Sequence, residues 1–202
     1  MHNPFRVVEL FEENLAEYTG APYACAVNSG TSALQLAFRW VAANQEGIDT
    51  VTLPSKTYRS VAIQACREGL NVNFSDWDWV RCYRIAPSNV WDYALTLEPG
   101  MYVKSQVQCL SFHPQKQLAL SNGGGAILHD HGSLQEWFKK QRWDGREGPS
   151  IVEDDIHCLG AHCYMFPATA GEALHRLAIY AARPVRELDH PHYEDLSKKW
   201  KW

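Results

Sequence analysis

Three groups of this chain carry residue types that can do chemistry together. The first is Lys116, which follows the run Leu110-Ser111-Phe112 and stands six residues before Asn122-Gly123-Gly124-Gly125. A primary amine at a turn beyond a strand can form a Schiff base with an aldehyde; the plain alternative is a solvated surface charge. The second is Asp92, set in the apolar stretch Val90-Trp91-Asp92-Tyr93-Ala94-Leu95. A carboxylate in such surroundings needs a partner, either a salt bridge, a helix N-cap or a cationic ring nitrogen. The third is Ser29-Gly30-Thr31-Ser32, which falls between a strand-like and a helix-like segment. The free amides and the positive end of the helix there suit an anion such as phosphate, with Gly30, Thr31 and Ser32 as its contacts. Read as ordinary N-cap residues, the same hydroxyls need no ligand.

The elements that must position these groups show in the hydrophobic periodicity. Residues 4–19 place Phe5, Val8, Phe11, Leu15 and Tyr18 on one helical face, with Gly20 as the stop. Residues 23–27 read as a buried strand and 33–41 as a helix after the glycine turn. Further strands are expected at 50–53, 70–74, 90–92, 108–111 and 126–129, and helices at 58–68, 134–142 and 169–182. Between about 144 and 162 the pattern weakens into a loop, and after Pro184 the chain reads as a polar, loosely held tail. Strands alternating with helices predict an α/β fold in three layers, a parallel-dominated sheet flanked by helices. In such sheets ligands bind beyond the carboxyl ends of the strands, where the Ser29 turn, Asp92 and the 111–116 segment would meet. An anion cradle, a buried acid and an amine are what pyridoxal phosphate requires for its phosphate, its ring nitrogen and its aldehyde. Tyr58, at the strand-to-helix turn 54–58, can add an aromatic face for the ring.

Composition excludes other classes. The 202 residues are 46% hydrophobic, enough for a real core, and the formal charge of −4 with a basic run only at residues 198–202 argues against nucleic acid as a partner. Apolar residues nowhere continue for the ~18 positions that span a bilayer, and residues 1–6 lack a signal-peptide pattern, so a soluble cytoplasmic protein is expected. The six cysteines are scattered without a CxxC pair, which favours reduced, buried thiols. His157, Cys158, His162 and Cys163 fall within seven residues, but zinc sites draw a second ligand pair from a distant segment, and none is visible; no metal is expected.

Several spaced motifs together resemble the DegT/DnrJ/EryC1/StrS sugar aminotransferases, pyridoxal-phosphate enzymes of fold type I. Residues 11–21 are similar to the family's opening helix, Asn28-Ser29-Gly30-Thr31-Ser32 to its phosphate turn, and Pro54-Ser55-Lys56-Thr57-Tyr58 to the segment with the stacking aromatic. Val90-Trp91-Asp92 resembles the strand with the ring-binding aspartate, and Ser111-Phe112-His113-Pro114-Gln115-Lys116 the Schiff-base segment. The resemblance implies that Lys116 is the catalytic lysine and that Ser111 places its hydroxyl on the phosphate. The chain reads as a shortened member. It lacks a helix and strand between Phe74 and Val90 and most of the small C-terminal domain. Leu95 stands where a glutamine is usual, Asn122 where a glutamate is usual, and His162 and Tyr164 replace an asparagine and an arginine. The resemblance divides the chain into a cofactor-binding large domain at 1–150 and a loop, helix and tail at 151–202. It also implies a homodimer that moves an amino group from an amino acid such as glutamate to a keto sugar linked to a nucleotide. Two other readings remain open: a degenerate relative serving in binding or assembly, and another pyridoxal-phosphate reaction such as a lyase or racemase.

Overall fold

The computed structural model describes residues 3–148, 155–185 and 188–201. In chain order these residues form α1 (Arg6–Thr19), β1 (Tyr23–Val27), α2 (Gly30–Asn44), β2 (Thr50–Pro54), α3 (Arg59–Arg67), β3 (Asn71–Ser75), β4 (Tyr83–Arg84), β5 (Val90–Asp92), β6 (Val107–Ser111), β7 (Gly125–His129), α4 (Gly132–Arg142) and α5 (Pro167–Ala181). The expected strands and helices are all present, within a few residues of their expected ends. A domain boundary near residue 150 falls among residues 149–154, outside the described residues.

Five strands form one sheet in the order β1-β7-β6-β5-β4, and β2 and β3 pair in parallel beside it. The sheet is mixed rather than parallel-dominated in its pairing: β1/β7, β7/β6 and β5/β4 are antiparallel, and β6/β5 is parallel. Connection length explains the difference. A parallel pair needs a crossover of a dozen or more residues, usually with a helix, whereas β4 reaches β5 through residues 85–89 and β7 follows β6 with no intervening helix. The amide of Thr52 donates to the Ala86 carbonyl at 2.7 Å, an isolated antiparallel bridge that joins β2 to the segment after β4. Counted through that bridge, five strands run one way, and β4 and β7 run against them.

Alternation along the strands builds two cores, one on each face of the sheet. Cys25, Val27, Cys109 and Ile127 face α2, α3 and α4, whose Leu34, Phe38, Val61, Ala65 and Phe138 close over them. Ala24, Ala26, Leu110 and Leu128 face α1 and α5, meeting Phe11, Leu15, Ala173 and Leu177. The three-layer α/β arrangement follows, because strands apolar at nearly every position must be covered on both faces.

A buried ion pair fastens the outer strand to this frame. Glu12 of α1 accepts the Ala26 amide at 2.7 Å, and Arg142 of α4 pairs with Glu12 while donating to the Ala26 carbonyl at 2.8 Å. Both side chains are 6% exposed, so each charge depends on the other.

The tail is not loose where it is described. Leu196 opens a short 3-10 helix, is buried, and its amide donates to the Ser55 carbonyl at 2.8 Å. Trp200 lies edge-on to Phe74, and His190 and Tyr193 pack against Trp79. Aromatic and apolar side chains within a polar stretch hold it against β3, an edge strand that needs a cover.

Replacing Arg142 with Met strands the Glu12 charge in the interior, which is expected to cost about 3–5 kcal/mol of folding stability. Urea denaturation should show a lower midpoint at an unchanged slope, and adding Glu12→Gln should recover part of the loss.

Candidate functional site

The hydroxyl turn forms as a capped helix start. Ser29 is the N-cap of α2, and its Oγ accepts the Ser32 amide at 3.1 Å. The Ser32 hydroxyl donates to Asn28 Oδ1 at 2.7 Å, and the Asn28 amide donates to the Cys163 carbonyl at 2.8 Å. Cys163, one of the four residues His157, Cys158, His162 and Cys163 weighed in the sequence as a metal cluster, therefore braces the turn from behind. Among the described residues no group of three or more His, Cys, Asp or Glu side chains is arranged to hold a metal. Because a helix start leaves its first amides without helical partners, those of Gly30 and Thr31 are available at this end.

Two strand ends press on the turn so closely that only glycine fits. A Cβ on Gly30 would lie 2.7 Å from the Ser111 Cβ and 3.0 Å from its hydroxyl. A Cβ on Gly125 would lie 2.5 Å from the Ser29 carbonyl and 2.6 Å from the Gly30 nitrogen. Ser111, the last residue of β6, thus stands directly against the first residue of α2.

Asp92 ends β5, paired with Cys109 of β6 two residues before Ser111, so both side chains belong to the same end of the sheet. The carboxylate is 6% exposed. Its Oδ1 accepts the Ala94 amide at 2.8 Å and its Oδ2 accepts the Tyr83 hydroxyl at 3.0 Å. Burial pushes its pKa above the usual carboxylate range, opposed by those two hydrogen bonds and by the charge of Lys116. Lys116 is half-buried in the loop after β6. Burial lowers its pKa, and the negative charge of Asp92 works the other way. Amine and acid are therefore close enough to act on each other.

The structure brings together Gly30 with Ser111, and Asp92 with Lys116, at one end of the sheet. Thr31 and Ser32 follow Gly30 in the first turn of α2. Tyr58, the residue before α3, stands at the rim and is 53% exposed. Its neighbour Thr57 is buried and shares a 2.7 Å hydrogen bond with the Tyr83 hydroxyl. Tyr83 and Thr57 were not marked in the sequence, and only the pairing of β4 with β5 reveals them, since that register sets Tyr83 opposite Asp92. Tyr193 of the tail also belongs to this neighbourhood. Burial, then the charges of Asp92 and Tyr58, push its phenol up to about 12. A cavity of about 410 Å³ lined by Trp40, Trp137 and His129 lies at the opposite end of β5 and β6 and contains none of these groups.

Comparison with known proteins adds to the geometry. Residues 3–92 match the model of the DegT/DnrJ/EryC1/StrS aminotransferase family, so the resemblance carried by the motifs holds for the segment that contains the hydroxyl turn, Tyr58 and Asp92. A stretch of 69 residues is 39% identical to the UDP-4-amino-4,6-dideoxy-N-acetyl-beta-L-altrosamine transaminase of two Campylobacter jejuni strains, covering 34% of this chain and 18% of that protein. Among solved structures, a DegT DnrJ EryC1 StrS aminotransferase from Brucella abortus matches with a TM-score of 0.70 at 20% identity, over 87% of this chain and 59% of that one. The sugar aminotransferase CalS13 from Micromonospora echinospora matches with 0.70 at 16% identity, over 90% and 62%. NtdA from Bacillus subtilis, solved with bound PMP, matches with 0.68 at 19% identity, over 87% and 48%. The fold is therefore that of the large part of these aminotransferases, of which this chain spans about 60% or less.

The raised Asp92 pKa has a consequence for stability. The folded chain holds this proton more tightly than the unfolded one, so stability is lost as pH rises from about 4, the range of a free carboxyl, through the higher folded value. Without cofactor, Asp92→Asn is expected to match or exceed the wild type in urea resistance at pH 7 and to depend less on pH. A clear loss of stability at pH 7 would contradict this account.

Proposed function

We propose that this chain is a pyridoxal-phosphate-dependent aminotransferase that takes an amino group from an amino acid such as glutamate and gives it to a keto sugar carried on a nucleotide. The observation that carries the reading is the convergence at one end of the sheet of an anion-ready helix start, a buried carboxylate and a half-buried lysine, within a fold shared with sugar aminotransferases. The residues fit the cofactor. The amides of Gly30 and Thr31, the hydroxyls of Ser32 and Ser111, and the positive end of α2 suit a phosphate, and the absence of a Cβ at Gly30 lets the Ser111 hydroxyl stand directly against that helix start. Asp92 suits the ring nitrogen, because each of its oxygens has a lone pair left after accepting from Ala94 and Tyr83. Tyr58 at the rim suits the face of the ring.

Bound there, pyridoxal phosphate supplies an aldehyde that captures amino groups and a protonated ring that draws electron density from the reacting carbon. The protein's share is proton handling and alignment. The Asp92 carboxylate holds a proton at the ring nitrogen, a stronger hold in a buried site than in water. Lys116 Nζ, made less basic by burial, is the group placed to release a proton and to take one from a substrate carbon. A cleft of about 150 Å³ lined by Arg81, Leu95, Glu98, Gln117 and His190 opens beside the Lys116 loop. The reading includes a cytoplasmic homodimer, as the resemblance implies; among the described residues no helix is long and apolar enough to cross a membrane.

Purified protein mixed with pyridoxal phosphate is expected to show a visible absorption band that Lys116→Ala abolishes and that glutamate converts. No band in the wild type would overturn the enzyme reading in favour of a binding or assembly role. A band that glutamate leaves unchanged while other amino acids undergo loss or inversion would favour the lyase or racemase alternative. Sedimentation equilibrium should give twice the chain mass, and a strict monomer would refute the dimer.

A further inference from the structure

We infer that Tyr83 is a positioning residue for the reaction, holding Asp92 aimed and ionised through a directed hydrogen-bond chain from Thr57 to Tyr83 to Asp92. The inference deepens the aminotransferase reading and rests on it. The direction of the chain follows from proton count. A phenol has one proton and an ionised carboxylate has none, so the Tyr83 hydroxyl donates to Asp92 Oδ2 at 3.0 Å. The Tyr83 oxygen is then free only to accept, and the 2.7 Å contact with Thr57 must be a donation from the Thr57 hydroxyl. Both bonds point their protons toward the carboxylate, and each strengthens the other in a dry site.

Tyr83 is well placed to hold this position. It is 3% exposed, sits opposite Asp92 in the β4/β5 ladder, and has the Trp79 ring 4.7 Å from its own. Trp79 is itself held by a 2.9 Å donation from its indole to the Lys56 carbonyl and by His190 and Tyr193 of the tail. The phenol cannot swing away without disturbing that stack. Besides Tyr83, the titratable groups that act on Asp92 or feel it are Cys82 beside β4, Cys109 of β6, Lys116 of the following loop and Tyr193 of the tail. The Cys109 thiol is pushed well above its usual range by burial and stays neutral. Burial raises the Cys82 thiol and the Tyr193 phenol as well, so both are neutral near pH 7. That leaves Lys116 as the cation near the acid. Lys116 must give up its own charge to act as a base, so it cannot be what holds the carboxylate in place; the Tyr83 and Ala94 hydrogen bonds aim Asp92 at the ring nitrogen whether or not the lysine is charged. The role differs from simple packing, because the phenyl ring of phenylalanine would fill the same space and leave Oδ2 without its donor.

The test uses the full chain with Tyr83→Phe and, as a milder variant, Thr57→Val. In cofactor-free protein, the carboxyl carbon of Asp92 is followed by NMR against pH, assigned by its loss in Asp92→Asn. In parallel, pyridoxal phosphate is titrated by its visible band at several pH values. Tyr83→Phe is expected to raise the Asp92 midpoint, to weaken cofactor affinity about 10- to 100-fold, as for a lost hydrogen bond to a charged group, and to move the acid limb of binding to higher pH. Thr57→Val should shift all three in the same direction by less. An unmoved Asp92 midpoint overturns the inference and leaves the aminotransferase reading standing. A moved midpoint with unchanged cofactor affinity also overturns it, since Tyr83 would then touch Asp92 without serving the site. A wild type that binds no cofactor overturns the aminotransferase reading and this inference with it.

Discussion

The contact between the first turn of α2 and the ends of β6 and β7 is the constraint on which the rest of the site depends. Gly30 and Gly125 allow the backbone of one element to lie where any side chain would collide, 2.7 Å from Ser111 in one case and 2.5 Å from the Ser29 carbonyl in the other. A helix start pressed onto strand ends in this way has little freedom to slide, because interiors are close-packed and resist small displacements. The Ser111 hydroxyl and the first amides of α2 are thereby fixed relative to each other before any ligand arrives. Strand register carries that placement sideways. With Trp91 opposite Gln108 and Asp92 opposite Cys109, the acid lies at a set distance along the sheet from Ser111.

Buried charge is handled in two different ways in this molecule. Glu12 and Arg142 neutralise each other and share the polar atoms of Ala26, an arrangement that clamps β1 and hence the turn that follows it. A pair of this kind adds little to stability compared with an apolar replacement, but half of it is worse than none. Asp92 has no such closed partner. Its hydrogen bonds come from an amide and a phenol, neither of which carries a charge, and its cation is a lysine that is itself partly desolvated. The carboxylate is left with attraction to spare, and a site that retains unspent attraction is suited to a cationic guest.

Much of this was legible in the sequence. The 3.6-residue stripe of Phe11 and Leu15, the glycine after α1 and the apolar runs 23–27 and 126–129 each encode their element locally, so the strands and helices could be read. The Ser29 turn, Asp92 and Lys116 could be found because strand ends in an α/β order fall on one side. Pairing direction could not be read as well. Whether β4 and β7 run with or against their neighbours depends on how the short connections close, and no local pattern records that. Tyr83 was invisible for the same reason: its role arises from register with Asp92, nine positions away in sequence and adjacent only in the ladder. The tail was misjudged because its polar composition hides three anchors, Tyr193, Leu196 and Trp200, whose partners Trp79, Ser55 and Phe74 lie far earlier in the chain.

The segment between β3 and β5 shows what such a site tolerates. Between Ser75 and Val90 the chain forms only the two residues of β4 and a short return, with no helix. The placement of Asp92 rests on the register of β5 on β6, set by the Val90–Val107 and Asp92–Cys109 pairings. What the replacement must supply is cover for the open edge of β5 and for the buried face of Asp92. An antiparallel strand with a tyrosine opposite the acid meets both needs with one residue. The cover in turn recruits Trp79, and through it the tail, so that the C-terminal segment closes over the same end of the sheet from which the lysine and the acid project.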